Sequence, residues 1–163
     1  MKIKSFIFFL SLFVLSLLLV SVTAHANRNS ISRADIAIGG ISLGATENYV
    51  RSIYGEPDEI SYDNNSRRAG PINRKTFRYG TSFFVVFDTD NNSNAVWEVK
   101  STGNNGLKTP VGFTVGMNLS DVRKYYGQGR GDENHLAYNA NWHNIMFTAK
   151  NGKITEIRIY PTP

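Results

Sequence analysis

The feature that most limits what this chain can fold into is an internal repeat. Residues 40–55 align without a gap on residues 112–127. Gly40, Gly44, Val50, Arg51, Tyr54 and Gly55 recur as Gly112, Gly116, Val122, Arg123, Tyr126 and Gly127. Two segments that keep their glycines in register must meet the same local geometry twice. Thr46 and Asn118 carry side-chain oxygens suited to capping a helix N-terminus. Val50, Ile53 and Tyr54 share one helical face, as do Val122, Tyr125 and Tyr126. Gly55 and Gly127 fall where each helix should stop, and Pro57 follows the first stop. Helices of about two turns are unstable alone and need a sheet to lean on.

The sheet is written next to each helix. In the first copy, residues 74–79, 82–88 and 95–101 read as strands, with Phe83, Val85, Phe87 alternating and Trp97, Val99 alternating. In the second copy, residues 135–139, 143–149 and 153–160 do the same, and Asn151-Gly152 is a strong two-residue hairpin signal. The expected fold class is therefore α+β: two tandem helix-plus-three-stranded antiparallel units, with the helices packed on one face of the sheet. The expected division is 1–26 signal, 27–101 first unit, 102–111 linker and 112–163 second unit. Asp58 to Asn73 is polar and reads as a loop.

The beginning of the chain points to export. Lys2 and Lys4 precede an apolar run from Phe6 to Val22, and Ala24-His25-Ala26 ends it with small residues at the two positions a signal peptidase reads. Cleavage near Ala26 would leave a chain with no second long apolar segment, hence no transmembrane span. The chain has no cysteine, so no disulfide framework supports it and no lipid-bearing cysteine follows the signal. The positive charge is mild and spread out, which argues against nucleic acid.

The repeated pattern, Gly44, Thr46, Val50, Tyr54, Gly55 and Pro57 with Gly116, Asn118, Val122, Tyr126 and Gly127, resembles the SmpA/OmlA (BamE) family. It also resembles the tandem-repeat β-lactamase inhibitory proteins. The resemblance implies an envelope protein that binds other proteins through a sheet surface and loops. This chain departs from the first group in having two units and no lipid-bearing cysteine. It departs from the second in having no disulfides.

Chemistry is sparse. His135 and His143, the histidines beyond the signal, lie in no metal-binding spacing, and Asp132, Glu133 and His135 read as a solvated loop. Asp88, Asp90 and Asn92 lack the rest of a calcium loop. Arg130-Gly131-Asp132 spells an adhesion tripeptide, and three residues match easily by chance. No serine, lysine or cysteine nucleophile motif occurs. The chain is expected to be no enzyme and to need no cofactor or metal.

If Phe83, Val85, Phe87, Trp97 and Val99 face the helix, the opposite face carries Arg78, Phe84, Val86, Glu98 and Lys100. In the second copy that face carries Trp142, Met146, Glu156, Arg158 and Tyr160. Aromatics, Met and Arg on an open face are what protein interfaces favour. The expected function is an exported, non-catalytic protein-binding module serving envelope assembly or maintenance, with an envelope or secreted protein as partner. The alternatives are an exported hydrolase inhibitor, with residues 58–73 as its loop, and a small envelope ligand carrier or enzyme.

Overall fold

A computed structural model of the protein describes residues 30–63, 73–90 and 93–162. The signal segment, residues 64–72 of the expected loop and residues 91–92 lie outside the described residues.

The two glycine-bounded segments share their local conformation. Helix α1, Glu47–Tyr54, starts at Thr46, whose hydroxyl accepts the Tyr49 amide at 3.2 Å. Helix α2, Leu119–Tyr126, starts at Asn118 in the same extended conformation, but without a side-chain cap bond. Instead the Asn118 side-chain amide donates to the Asp121 carboxylate at 3.2 Å. Both helices end on a glycine, Gly55 at φ 74°, ψ −156° and Gly127 at φ 84°, ψ −163°. That region is open to glycine almost alone, so the stop is stricter than an ordinary left-handed cap. The chain also re-enters the sheet alike at both places. Gly44 donates to Val96 and Val96 to Ala45; Gly116 donates to Ile154 and Ile154 to Met117, all at 2.8 Å.

Around them the chain is mostly sheet. A hairpin, β1 (Ala37–Ile38) and β2 (Ile41–Ser42), precedes α1. Strands β3 (Glu59–Asp63), β4 (Arg74–Tyr79), β5 (Phe83–Asp88) and β6 (Ala95–Ser101) follow it. Strands β7 (Arg130–Gly131), β8 (His135–Ala140), β9 (His143–Lys150) and β10 (Lys153–Pro161) follow α2. The last eight form one antiparallel sheet in the order β3-β4-β5-β6-β10-β9-β8-β7.

The expected α+β design of two tandem helix-plus-three-stranded units is thus corrected. β6 and β10 pair through Val99–Ile159, Lys100–Arg158 and Ser101–Ile157, which fuses β3–β6 and β7–β10 into one sheet and leaves β1 and β2 as a separate hairpin. Each half also has a fourth strand: Glu59–Asp63 pairs with β4, and Arg130–Gly131 pairs with β8. The helices do not roof separate sheets. The backbone lying nearest the β6–β10 seam is the β1–β2 hairpin, with Ile38 and Ile41 fully buried. The helices reach the sheet by side chains: Val50 and Val122 are fully buried, Tyr54 contacts Phe83 and Tyr126 contacts Tyr138.

Joining the strands explains why the core lies on one face only. Phe77, Phe83, Val85, Phe87, Val99, Leu136, Ile145, Phe147, Ile157 and Ile159 form a continuous buried layer. Alternation along each strand sends every second side chain to the other face. Among the described residues, no helix is long and apolar enough to cross a membrane.

Candidate protein-binding face

The strand registers build the second face residue by residue. One row crosses all eight strands: Glu59, Arg78, Phe84, Lys100, Arg158, Met146, Ala137 and Arg130, each opposite the next. From Arg78 to Ala137 this row is half-buried, and its two ends are exposed. Each residue is shielded by its neighbours in the sheet, while the hairpin and both helices contact the opposite face.

Four cations of this face lie against rings or acids. The Arg78 guanidinium meets Glu59 at 2.8 Å. The Lys100 ammonium sits 4.9 Å from the centre of the Phe84 ring. Arg158 lies 5.1 Å from the Tyr160 ring centre and donates to Glu98 at 2.5 Å. Arg74 covers Trp97 at 4.2 Å. Lys100 and Arg158 are directly opposed across β6 and β10. Like charges so placed repel, and the ring faces and the Glu98 carboxylate compensate them.

The expected face residues Arg78, Phe84, Val86, Glu98, Lys100, Met146, Glu156, Arg158 and Tyr160 all fall on this face by register. Trp142 does not. It occupies the two-residue turn between β8 and β9 and is 74% exposed. Its φ of 66°, after Asn141 at 49°, matches the Asn151–Gly152 turn at 53° and 73°. Trp142 thus holds the place glycine takes in the other hairpin.

Trp97 also departs from expectation. A bulge shifts the register between Val86 and Phe87, so that Phe87 faces Val96 and Trp97 is the extra residue. Val96 takes the core position at 3% exposure, and Trp97 turns to Arg74. Sequence alternation missed Trp97 as a face residue because a bulge leaves no mark in it; Arg74, two alternations before Arg78 on β4, was within its reach.

The other candidate sites dissolve on inspection of their partners. Asp132 accepts the amides of Asn134 and His135 at 2.8 Å, and its carboxylate is held below the usual range by those bonds. Its oxygen is therefore engaged within its own turn. Among the described residues, no group of three or more His, Asp or Glu converges as metal ligands would. Residues 59–63 of the expected loop are an edge strand.

Two clefts lie away from the open face. One, about 510 Å³, lies between α2 and the preceding segment, against Phe113, Met117 and Tyr125. The other, about 530 Å³, is lined by Arg33, Ile36, Gly40, Ser42, Pro110 and His143 among others. Burial there, and then the charge of Arg33, lower the pKa of His143.

No family model matches this chain, and no curated protein matches it in sequence. Solved structures resemble it in shape. A cysteine-rich secretory protein from Staphylococcus aureus subsp. aureus Mu50 aligns with a TM-score of 0.58 at 11% identity, over 84% of this chain and 48% of that one. An extracellular protein containing an SCP domain from Bacillus anthracis aligns at 0.45 and 12% identity, over 73% and 44%. A DUF4309 family protein from Bacillus subtilis aligns at 0.45 and 11% identity, over 76% and 83%. The chain spans about half the length of the first two. At such identity the likeness to the staphylococcal protein is one of fold alone.

Proposed function

We propose that this chain is an exported protein that acts by binding rather than catalysis, gripping another envelope or secreted protein with the open face of its sheet. The observation that carries the reading is the row from Arg78 to Met146, in which guanidinium, ammonium, ring and thioether groups share the side of the sheet opposite the described helices and hairpin. Arg, aromatics and Met are the residues interfaces favour. Stacking matters as much as composition. A long cation already laid on a ring loses less freedom when a partner arrives, a saving of about 0.5–1.5 kcal/mol per side chain.

The size also fits. Strands about 4.8 Å apart and about 20 Å long give eight strands a face of roughly 700 Å², near the ~800 Å² each partner contributes to a standard interface. The charged, apolar and A-x-A order of the first residues supports export. The resemblance to the SmpA/OmlA group is in keeping with a role in envelope assembly or maintenance.

A photocrosslinking amino acid placed at Phe84 or at Met146 tests the reading in the cells that make the protein. Both positions should yield an adduct of the same mass, and Ser120, exposed on α2, should yield none. Adducts from Ser120 but from neither face position would overturn the proposal.

A further inference from the structure

The two repeated segments differ at one place that matters for binding. In the first, Tyr49 on α1 folds back so that its hydroxyl lies 3.4 Å from the Gly40 carbonyl oxygen. A methyl of Ile53 flanks Gly40 as well. In the second, Asp121 stands at the position of Tyr49, Tyr125 at that of Ile53 and Gly112 at that of Gly40. Gly40 and Gly112 share a positive φ, 81° and 98°. The short Asp121 side chain turns to Asn118, and it lines one wall of the cleft of about 510 Å³.

From this substitution we infer that the α2 cleft is a seat for a tyrosine side chain offered by a protein partner. The first segment displays the kind of occupant it would take, a half-exposed phenol that points its hydroxyl at the glycine carbonyl. The walls suit a ring. Val111, Phe113 and Met117 supply apolar surface, Phe113 and Tyr125 already meet edge to face at 5.7 Å, and a methionine sulfur favours aromatic contact. Asp121 and Lys124 line the same cleft with opposite charges. The two charges offset each other, so the seat has no net positive charge to draw an anion, and a neutral phenol suits its apolar walls better than a phosphorylated one or a fatty acid. The occupant comes from a protein partner, as the function proposed above requires, but the seat lies on the helical side and stands independently of the open face.

The test is an NMR titration of the isotope-labelled protein with N-acetyl-tyrosinamide. Saturable shifts should centre on Gly112, Phe113, Met117 and Tyr125, with N-acetyl-leucinamide at least fivefold weaker. Asp121→Tyr, which copies the first segment, should weaken tyrosinamide binding at least tenfold. Tyr49→Asp, an exposed change on α1, should add a second set of shifts around Gly40 and Ile53. Lys100→Ala, which removes a cation of the open face and leaves the Arg158–Glu98 pair intact, should leave the titration unchanged, so the two proposals fail separately. No saturable shift, equal binding of leucinamide, stronger binding of a medium-chain fatty acid, or indifference to both Asp121→Tyr and Tyr49→Asp would overturn it.

Discussion

Replacing Arg158 by methionine should destabilise the protein by about 2–3 kcal/mol, near or below the low end of the ~3–5 kcal/mol lost when one partner of a buried ion pair is removed. The structure sets the figure. The Glu98 side chain is 9% exposed, so its carboxylate would be left with little water. Arg158 itself is 35% exposed, and water reaching the gap offsets part of the loss. The pair is also imperfect, because the Arg158 Nε is buried without a hydrogen-bond partner. Losing the stacking on Tyr160 adds about 0.5–1 kcal/mol and is included in the total. The double change Glu98→Leu with Arg158→Met removes both charges and should restore stability to within about 1 kcal/mol of the parent. Urea unfolding measures this directly. With a slope of about 1–3 kcal/mol per molar, the single variant should move the midpoint down by roughly 0.7–3 M, and the double variant should recover most of it. The double variant should still lose the adduct at Phe84, since the face has lost its central cation. A single variant as stable as the parent, or a double variant less stable than the single, would refute the reasoning.

Other outcomes follow from local geometry. Thr46→Ala should cost about 1 kcal/mol, while Asn118→Ala, which removes no cap bond, should cost well under half as much in the same unfolding assay. Trp142→Gly should not lower the melting temperature and should raise it slightly, because the turn needs positive φ at that position; a clear fall would show that the ring packs on something. His143 is held neutral by burial, and its folded pKa lies below that of the unfolded chain, near 6.5. Its contribution is therefore complete above that pH and is lost as pH falls through the folded value. His143→Gln should flatten the stability profile as pH falls below about 6.5. Glu47 responds at lower pH: burial raises its pKa, but bonds from Lys75 and Arg51 outweigh burial and hold it below 4.5, so its support fades in acid.

Much of the local structure was legible in the sequence because its causes are local. Helix starts at Thr46 and Asn118, stops at Gly55 and Gly127, and the Asn151–Gly152 turn each depend on a few adjacent residues. Six strands lie within a residue or two of where alternation puts them. The joining of β6 to β10 was not legible, because pairing between distant strands depends on a seam that neither half encodes alone. Glu59–Asp63 read as loop although Ile60 and Tyr62 alternate with polar neighbours, because two apolar residues at the head of a long polar stretch are too short a run to stand out; all five residues are exposed. The face residues were largely legible because parity along a strand fixes them. Trp97 was placed on the wrong face because one extra residue inverts parity, and Trp142 was counted with the sheet although it belongs to a turn.

A thiol-labelling scan tests the central claim, that one side of a continuous sheet is core and the other is open. The chain has no cysteine, so each introduced cysteine reports alone. In the native protein, cysteines at Phe84, Val86, Lys100 and Met146 should react readily, while those at Phe83, Val85, Val99 and Ile145 should react only on unfolding. Across the bulge, Val96→Cys should be protected and Trp97→Cys reactive. Equal protection of both sets would mean that a second layer covers the face, and it would contradict the account.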